Sequence, residues 1–307
     1  MITAVVPVTA ATSRSGIVAI DKPAGMTSFD AVRAVRRIFD ERRVGHAGTL
    51  DPIATGLLPI CIGQATRLVD YFHQQSKTYR CVVRFGERSD TLDTEGEVVA
   101  GADASALTEA DVRGAAAAFI GDIMQVPPMH SAVRHQGKHL YELARSGQEV
   151  ERKARPVRIE SIEVTAFRPG VRAEAELEVV SGKGTYMRVL AADIGEAVGT
   201  GALLAWLSRT AYGDLRLEDA VTPDVLAEYD DPATALLPPD RAVSFLPRID
   251  LGPQQATMIG RGQSVWLPRM PELTAGNQCR VHSADGRLIA IGEVAGSLLR
   301  PTKVLNS

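Results

Sequence analysis

From Val44 to Thr66 the chain reads VGHAGTLDPIATGLLPICIGQAT, and in all of it only Asp51 carries a formal charge. Arg42 and Arg43 stand just before this stretch and Arg67 just after it. A carboxylate in such apolar company is at least partly desolvated, which is costly unless a cation or hydrogen-bond donors face it. Pro52 pushes Asp51 toward extended backbone and so out of a helix. Gly45, Gly48 and Gly56 permit tight backbone approach. The stretch therefore reads as a shaped loop that presents one carboxylate. Two roles stay open for it: a chemical group awaiting a partner cation, or a structural aspartate that ties down loop N–H groups.

The run GHAGTLDPIATGLLPICIG resembles, without interruption, the motif around the nucleophilic aspartate of the TruB-type tRNA pseudouridine-55 synthases. The rest of the chain can be read against that resemblance.

Its 307 residues suffice for one large domain and a small one. With 45% hydrophobic residues an ordinary packed core is expected. Cys61, Cys81 and Cys279 are scattered, form no CxxC pair and suggest no disulfide framework, which fits a reducing cytoplasm. The start, MITAVVPVTAATSRSG, has no basic residue before its short apolar run, so it reads as neither a signal peptide nor a membrane span. Residues 1–15 are expected to form a flexible tail. The formal net charge of −3 gives no global attraction to nucleic acid, so any RNA contact must use local positive charge.

Ile17 to Ile20 reads as a strand ending in the turn DKPAGMTS. Thr27 or Ser28 can cap a helix whose Phe29, Val32, Val35 and Phe39 would face the core. Arg33, Arg36 and Arg37 lie off that face, either as a solvated surface or as phosphate contacts. The turn resembles the KPxGxTS segment of the same family. That likeness implies that Lys22, grouped with the substrate-binding residues, supports the active-site loop. Leu68 to Phe72 should close a helix. Tyr79, Cys81, Val83 and Phe85 alternate with polar or smaller neighbours, as on a strand with one apolar face. The acids and Gly96 of GERSDTLDTEGEV read as a turn. Ala102 to Gly121 holds a helix, capped by Thr108 and stopped by Gly121.

From Arg134 to Arg158 seven Lys and Arg stand against three acids. His135 and His139 have the i, i+4 spacing of a helical zinc pair, but no third ligand is evident and Gly137 lies between them; an RNA-facing basic segment is the better reading. The passage resembles the family's QxPPxxSAxKxxGxxLYELAR segment, departing at His130 and Arg134. Arg172 to Val180 alternates as a half-buried strand. Met187, Leu190, Ala191, Ile194 and Val198 mark a helix. GALLAWLSR, Gly201 to Arg209, reads as apolar and helical. Leu217 to Asp240 is acidic and rich in proline, so it reads as helical fragments and a connector. Beyond Leu246 the chain reads as strands, with ADG as a hairpin turn between CRVHS and RLIAIGEV.

The resemblance implies an α+β pseudouridine synthase fold: a mixed, largely antiparallel sheet with flanking helices over residues 16–245. It carries an RNA-binding insertion at about 125–158. A looser likeness makes 246–307 a small PUA-like β domain. Within the family's KxYR and GTYIR motifs, Tyr79, Tyr186 and Arg188 match active-site residues. Asp51, Tyr79 and Arg188 would be catalytic, while His46, Tyr186 and Leu207 would bind the substrate base and its loop. Arg42, Arg43, Arg134, Lys138, Arg152, Lys153 and Arg155 are the candidate RNA-backbone contacts. Where members often read LRRT this chain reads LSRT, so Ser208 removes one expected cation. The implied activity needs no cofactor and no metal. It acts on the T-arm of tRNA as a monomer, with no protein partner and no membrane. Two rival readings are a guide-RNA-dependent synthase, which needs partner proteins, and a catalytically idle tRNA-binding module. The second would not retain Asp51, Tyr79 and Arg188 together.

Overall fold

The computed structural model describes residues 15–131, 133–267 and 278–305; the expected N-terminal tail lies almost wholly outside them, and so does Arg269, one of the cations of the expected PUA-like part. Strand β1 (Gly16–Lys22) leads into helix α1 (Ser28–Phe39). Thr27 caps that helix with a reciprocal box: its hydroxyl accepts from the Asp30 N–H, and the Asp30 carboxylate accepts from the Thr27 N–H. Ala31, Val32, Val35 and Phe39 are buried, but Phe29 is 55% exposed, with the Arg33 and Arg36 guanidinium groups beside its ring. Ser28 holds the inward position of the first turn. Its hydroxyl donates to the Leu50 carbonyl and accepts from the Leu50 N–H, and this rolls Phe29 toward solvent.

Strands β2 (Val44–His46) and β3 (Thr55–Ile62) follow. A 3-10 turn (Gly63–Leu68) runs into the single turn α2 (Val69–Phe72). On β4 (Lys77–Phe85) the alternation holds, with residues 77, 79, 81, 83 and 85 buried. The expected turn after it is a hairpin, β5 (Glu87–Ser89) with β6 (Val98–Ala100). Helix α3 (Glu109–Ala117) has the predicted Thr108 cap. Gly121 does not stop it: the helix ends at Ala117 with Ala118 as its C-cap, and Gly121 opens β7 (Gly121–Gln125).

The basic passage forms two short strands, β8 (Arg134–His135) and β9 (Lys138–His139), then helix α4 (Leu140–Arg145). His135 and His139 are therefore not on one helix face. Next come β10 (Arg155–Arg168), β11 (Glu174–Ser181) and α5 (Met187–Ala197). GALLAWLSR is not a helix. It lies in β12 (Ala202–Tyr212), followed by β13 (Leu215–Arg216). The sheet runs β1-β3-β12-β4-β11-β10-β7, with β2 on β3 and β13 on β12. Only β3 and β12 pair in parallel, so the sheet is mixed and largely antiparallel. A strand this central is covered on both faces and loses its alternation, so its apolar run cannot be told from a buried helix by periodicity.

Helix α6 (Pro223–Ala227) and three 3-10 turns make up the connector. A second, five-stranded sheet follows: β14 (Arg248–Asp250), β15 (Val265–Trp266), β16 (Gln278–His282), β17 (Leu288–Ala295) and β18 (Leu298–Val304), in the order β14-β16-β17-β18-β15. The β16–β17 hairpin is the one expected at ADG. The strand-only expectation missed α7 (Pro253–Gly260), which starts at a glycine cap without a side-chain acceptor and buries only Ile259. One apolar cluster joins α1, α3 and α5 to the large sheet. Another holds Leu57, Leu68, Phe72 and Tyr212 together with Ile291 of β17, so the small sheet is docked on the large unit. The small sheet also has a core of its own.

Candidate active site

Asp51 lies in the loop between β2 and β3, and the loop is fastened at many points. Gly25 donates its N–H to the Pro52 carbonyl at 2.8 Å. Lys22 is wholly buried and donates to the carbonyls of Met26 (2.7 Å), Pro23 (2.9 Å) and Pro52 (3.4 Å). Burial pulls its ammonium down to about 8, and the nearby Asp51 charge opposes that shift. Lys22 thus supports the loop and presents no surface to substrate. Arg209 of β12, also wholly buried, donates to the carbonyls of Leu57 (2.7 Å) and Gly48 (3.2 Å), on either side of Asp51. Two glycines permit this closeness. Gly48 has φ of +82° and Gly56 of +97°, and a Cβ at Gly56 would stand 2.4 Å from the Arg209 carbonyl oxygen. Gly45 faces open space, so its freedom is not used.

The cation that the loop needs is Arg188, in the first turn of α5. One terminal nitrogen, Nη2, lies 2.9 Å from the Asp51 carboxylate and donates to the His130 carbonyl at 2.8 Å. The other, Nη1, donates to the Thr91 carbonyl at 2.9 Å and lies 3.4 Å from Asp93. Asp93 is buried and accepts from the Thr91 hydroxyl and the Glu95 N–H. A fixed guanidinium of this kind orients a carboxylate and keeps its charge useful in a partly dry site. Asp51 keeps 39% of its side chain exposed, open to a ligand.

A cavity of about 610 Å³ brings together His46, Asp51, Tyr79, Tyr186, Arg188 and Leu207. Tyr79 of β4 and Leu207 of β12 come from neighbouring strands, two residues out of register and so on one face of the sheet. Tyr186 caps α5, with its N–H donated to the Gln125 side-chain oxygen at 3.0 Å. Burial pushes its phenol up, against the pull of Ser131 and Arg155. Burial lowers His46, with Arg209 and His73 adding to the effect, which favours a neutral imidazole; its Nδ1 is buried without a partner.

Of the expected backbone contacts, Arg155 lines the cavity. Arg42, Arg43, Arg134, Lys138 and Lys153 are exposed and lie off the cavity. Arg152 is partly buried, donates to the Pro127 carbonyl and pairs with Glu149. Reading the sequence missed Asp93, which looked like one acid of a turn. It also missed Lys77, a buried cation that lines the cavity, and the hold of Arg209 on the loop. A charge inside an apolar run, as at Arg209 in ALLAWLSRTAY, is the signal that could have found the latter. Among the described residues no His, Cys, Asp or Glu cluster could hold a metal ion. Nor is any described helix long and apolar enough to cross a membrane.

Two solved structures share this architecture. A chain in "Structure of H/ACA RNP bound to a substrate RNA containing 2'-deoxyuridine" superposes with a TM-score of 0.75 at 22% identity, over 96% of this chain and 86% of the other. One in "Crystal Structure of a Cbf5-Nop10-Gar1 Complex" gives 0.73 at 24% identity, over 95% and 85%. Residues 36–187 match the TruB family pseudouridylate synthase N-terminal domain, and residues 247–305 match the pseudouridine synthase II TruB C-terminal domain. The molecule thus has the pseudouridine synthase fold with a PUA-like β domain. Among curated relatives, "tRNA pseudouridine synthase B" of Saccharophagus degradans is 43% identical over 91% of this chain and 92% of its own length. The protein of the same name from Ralstonia nicotianae is 43% identical over 95% and 94%. The chain belongs to the TruB family of pseudouridine synthases.

Proposed function

We propose that this protein converts uridine 55 in the T-loop of tRNA to pseudouridine, acting alone in the cytoplasm and without a cofactor. The observation that carries the reading is the Asp51–Arg188 pair, set in a cavity whose other walls include Tyr79 and Leu207. The reaction is a redox-neutral isomerisation. The bond from uracil N1 to C1′ breaks, the base turns, C5 bonds to C1′, and the C5 proton is lost while N1 gains one. No group donor enters the balance.

A T-loop uridine is stacked inside folded tRNA and must be flipped out to be reached. His46 enters the T-loop and helps hold it open, while Tyr79 and Leu207 grip the flipped base. Asp51 attacks C1′, or removes the C2′ proton to give a glycal; both roles need its negative charge. Arg188 orients it, Tyr79 takes the C5 proton, and Tyr186 supports the site. Residues 16–245 form the catalytic domain, with an RNA-contacting insertion at about 125–158, and 246–307 form an RNA-binding domain. Support for the substrate comes from the names of the relatives and from Lys77, Arg155, Lys183 and Arg209, which line the cavity and form no ion pair among the described residues. The test is base mapping of a T-stem-loop RNA after incubation with the protein alone. Pseudouridine at the target position is expected. An unmodified uridine, or modification that needs a guide RNA and partner proteins, overturns the reading.

A further inference from the structure

The cavity holds more positive charge than this chemistry uses. Asp51 is answered by Arg188, and Arg188 also by Asp93. Four further cations line the cavity, Lys77, Arg155, Lys183 and Arg209, whereas Asp51 is its one acidic lining residue. Among the described residues none of the four forms an ion pair. Lys77 and Arg209 are both buried against the Tyr212 ring, 4.7 and 5.0 Å from its centre. Lys77 spends two donors, on the His73 and Gln75 carbonyls, and keeps a third. Burial, then Arg209 and Lys183 close by, pull its ammonium down to about 8. His73 lies within reach of Lys77, Lys183 and Arg209, and His46 within reach of Arg209 and His73, so these groups share one corner. The acids in electrostatic reach are engaged elsewhere: Asp70 points to solvent beside Lys303, and Glu160 accepts from Ser76. Buried cations without a counter-charge are costly, and a bound anion would relieve that cost.

The register gives the corner its place. Arg209 stands opposite Tyr79, and Tyr212 opposite Lys77. Lys77 is two residues before Tyr79 on the same buried face, about 7 Å along the strand. The corner therefore adjoins the grip of Tyr79 and Leu207 and lies within reach of a phosphate attached to the gripped nucleotide. Arg209 has given its fork to two carbonyls, so the contacts fall to the ammonium groups, which act on phosphate as point charges. We infer that this corner is an anion subsite for a phosphodiester adjoining the flipped nucleotide, contacted by Lys183 and Lys77, with Arg209 as a fixed charge behind them. The inference rests on the function proposed above.

The test uses the full chain and its Lys183→Ala and Lys183→Glu variants. Lys183 is exposed, so folding is not at stake, and thermal melts check this. The probes are a T-stem-loop RNA bearing one neutral methylphosphonate at each linkage around the target, and a plain oligouridylate. The wild type should lose about three- to tenfold in affinity at one linkage near the target. Lys183→Ala should lose a similar factor on the unmodified RNA, lose nothing more at that linkage, and flatten the log–log salt slope by about 0.7 to 0.9. Lys183→Glu should lose more than Lys183→Ala. Penalties that multiply at every linkage, or an unchanged salt slope, overturn the subsite. If the wild type isomerises the stem-loop while the penalties multiply, only the subsite falls. If the stem-loop uridine stays unmodified while Lys183→Ala still weakens oligouridylate binding with a flatter salt slope, the subsite stands and the proposed function falls.

Discussion

Asp51 and Asp93 flank one guanidinium yet differ in exposure: 39% of the Asp51 side chain is open and 3% of that of Asp93. The open carboxylate can meet a ligand, whereas the closed one can only hold the arginine. Asp51→Asn keeps the size and removes the charge on which both forms of the chemistry depend. RNA affinity should stay near that of the wild type while turnover falls at least about a thousandfold. Turnover within about tenfold of wild type would end the assignment of Asp51 as the reacting group. Arg188→Met should abolish activity and also destabilise the fold by about 3 kcal/mol, because Asp93 keeps its charge in a buried place. Adding Asp93→Asn to that variant should restore much of the stability and none of the activity. Urea unfolding of the two variants checks the pairing, and equal midpoints for Arg188→Met and wild type would disprove it. The Asp51–Arg188 relation was legible because Asp51 sits in a long specific motif, Arg188 in a short run, GTYMR, that resembles a motif of the same family, and a desolvated carboxylate needs a cation. Asp93 was not legible, since nothing in SDTLDTEGEV tells which acid turns inward.

At the scale of elements, the chain was easiest to read where one face of a strand or helix meets solvent. β4 and β11 alternate as predicted, and α5 buries the predicted Met187, Leu190, Ala191 and Ile194. β12 failed because burial on both faces erases the period, and α7 because it is short and buries one side chain. Yet β12 is the element on which the site depends. It brings Leu207 into the cavity, and Arg209 to the carbonyls at both ends of the Asp51 loop. Its parallel contact with β3 is made at Thr55 and Gly56 alone. Gly56→Ala should therefore be severe: the backbone sits at φ +97°, and the new methyl would meet the Arg209 backbone oxygen and the Ser208 hydroxyl. A loss of more than about 2 kcal/mol is expected, with lower turnover from the folded fraction. Gly45→Ala at an open position should cost less than about 1 kcal/mol. Similar losses at the two positions would show that β3–β12 contact is not what demands glycine at Gly56.

At the scale of the whole molecule, the question is what the small sheet contributes to a site it does not touch. Every residue assigned to chemistry lies between His46 and Arg209, ahead of the acidic, proline-rich connector. The small sheet nevertheless covers the large unit. Ile291 packs in the cluster of Leu68, Tyr71 and Phe72, with Leu288 and Leu305 against it. Arg67 donates to the Val304 carbonyl, Lys303 donates back to the Arg67 carbonyl, and Asp240 of the connector holds Arg280 and His282. A chain ending at Phe245 should uncover that apolar cluster. The four aliphatic side chains lost from it, Leu246, Leu288, Ile291 and Leu305, are worth several kcal/mol, which for a unit of this size lowers the melting temperature on the order of 10 °C. Below its melting point the fragment should still isomerise a T-stem-loop RNA. It should bind whole tRNA less well, because Arg248, Arg261, Arg269, Arg280, Arg287, Arg300 and Lys303 leave with the tail. Each lost phosphate contact flattens the log–log salt slope by about 0.7 to 0.9. Melting curves, stem-loop turnover and a salt series on both RNAs separate the two roles. Equal tRNA slopes in fragment and full chain would reduce the small sheet to a packing cover. A fragment that is folded but inactive on the stem-loop would move the domain boundary, or the site, into residues after 245.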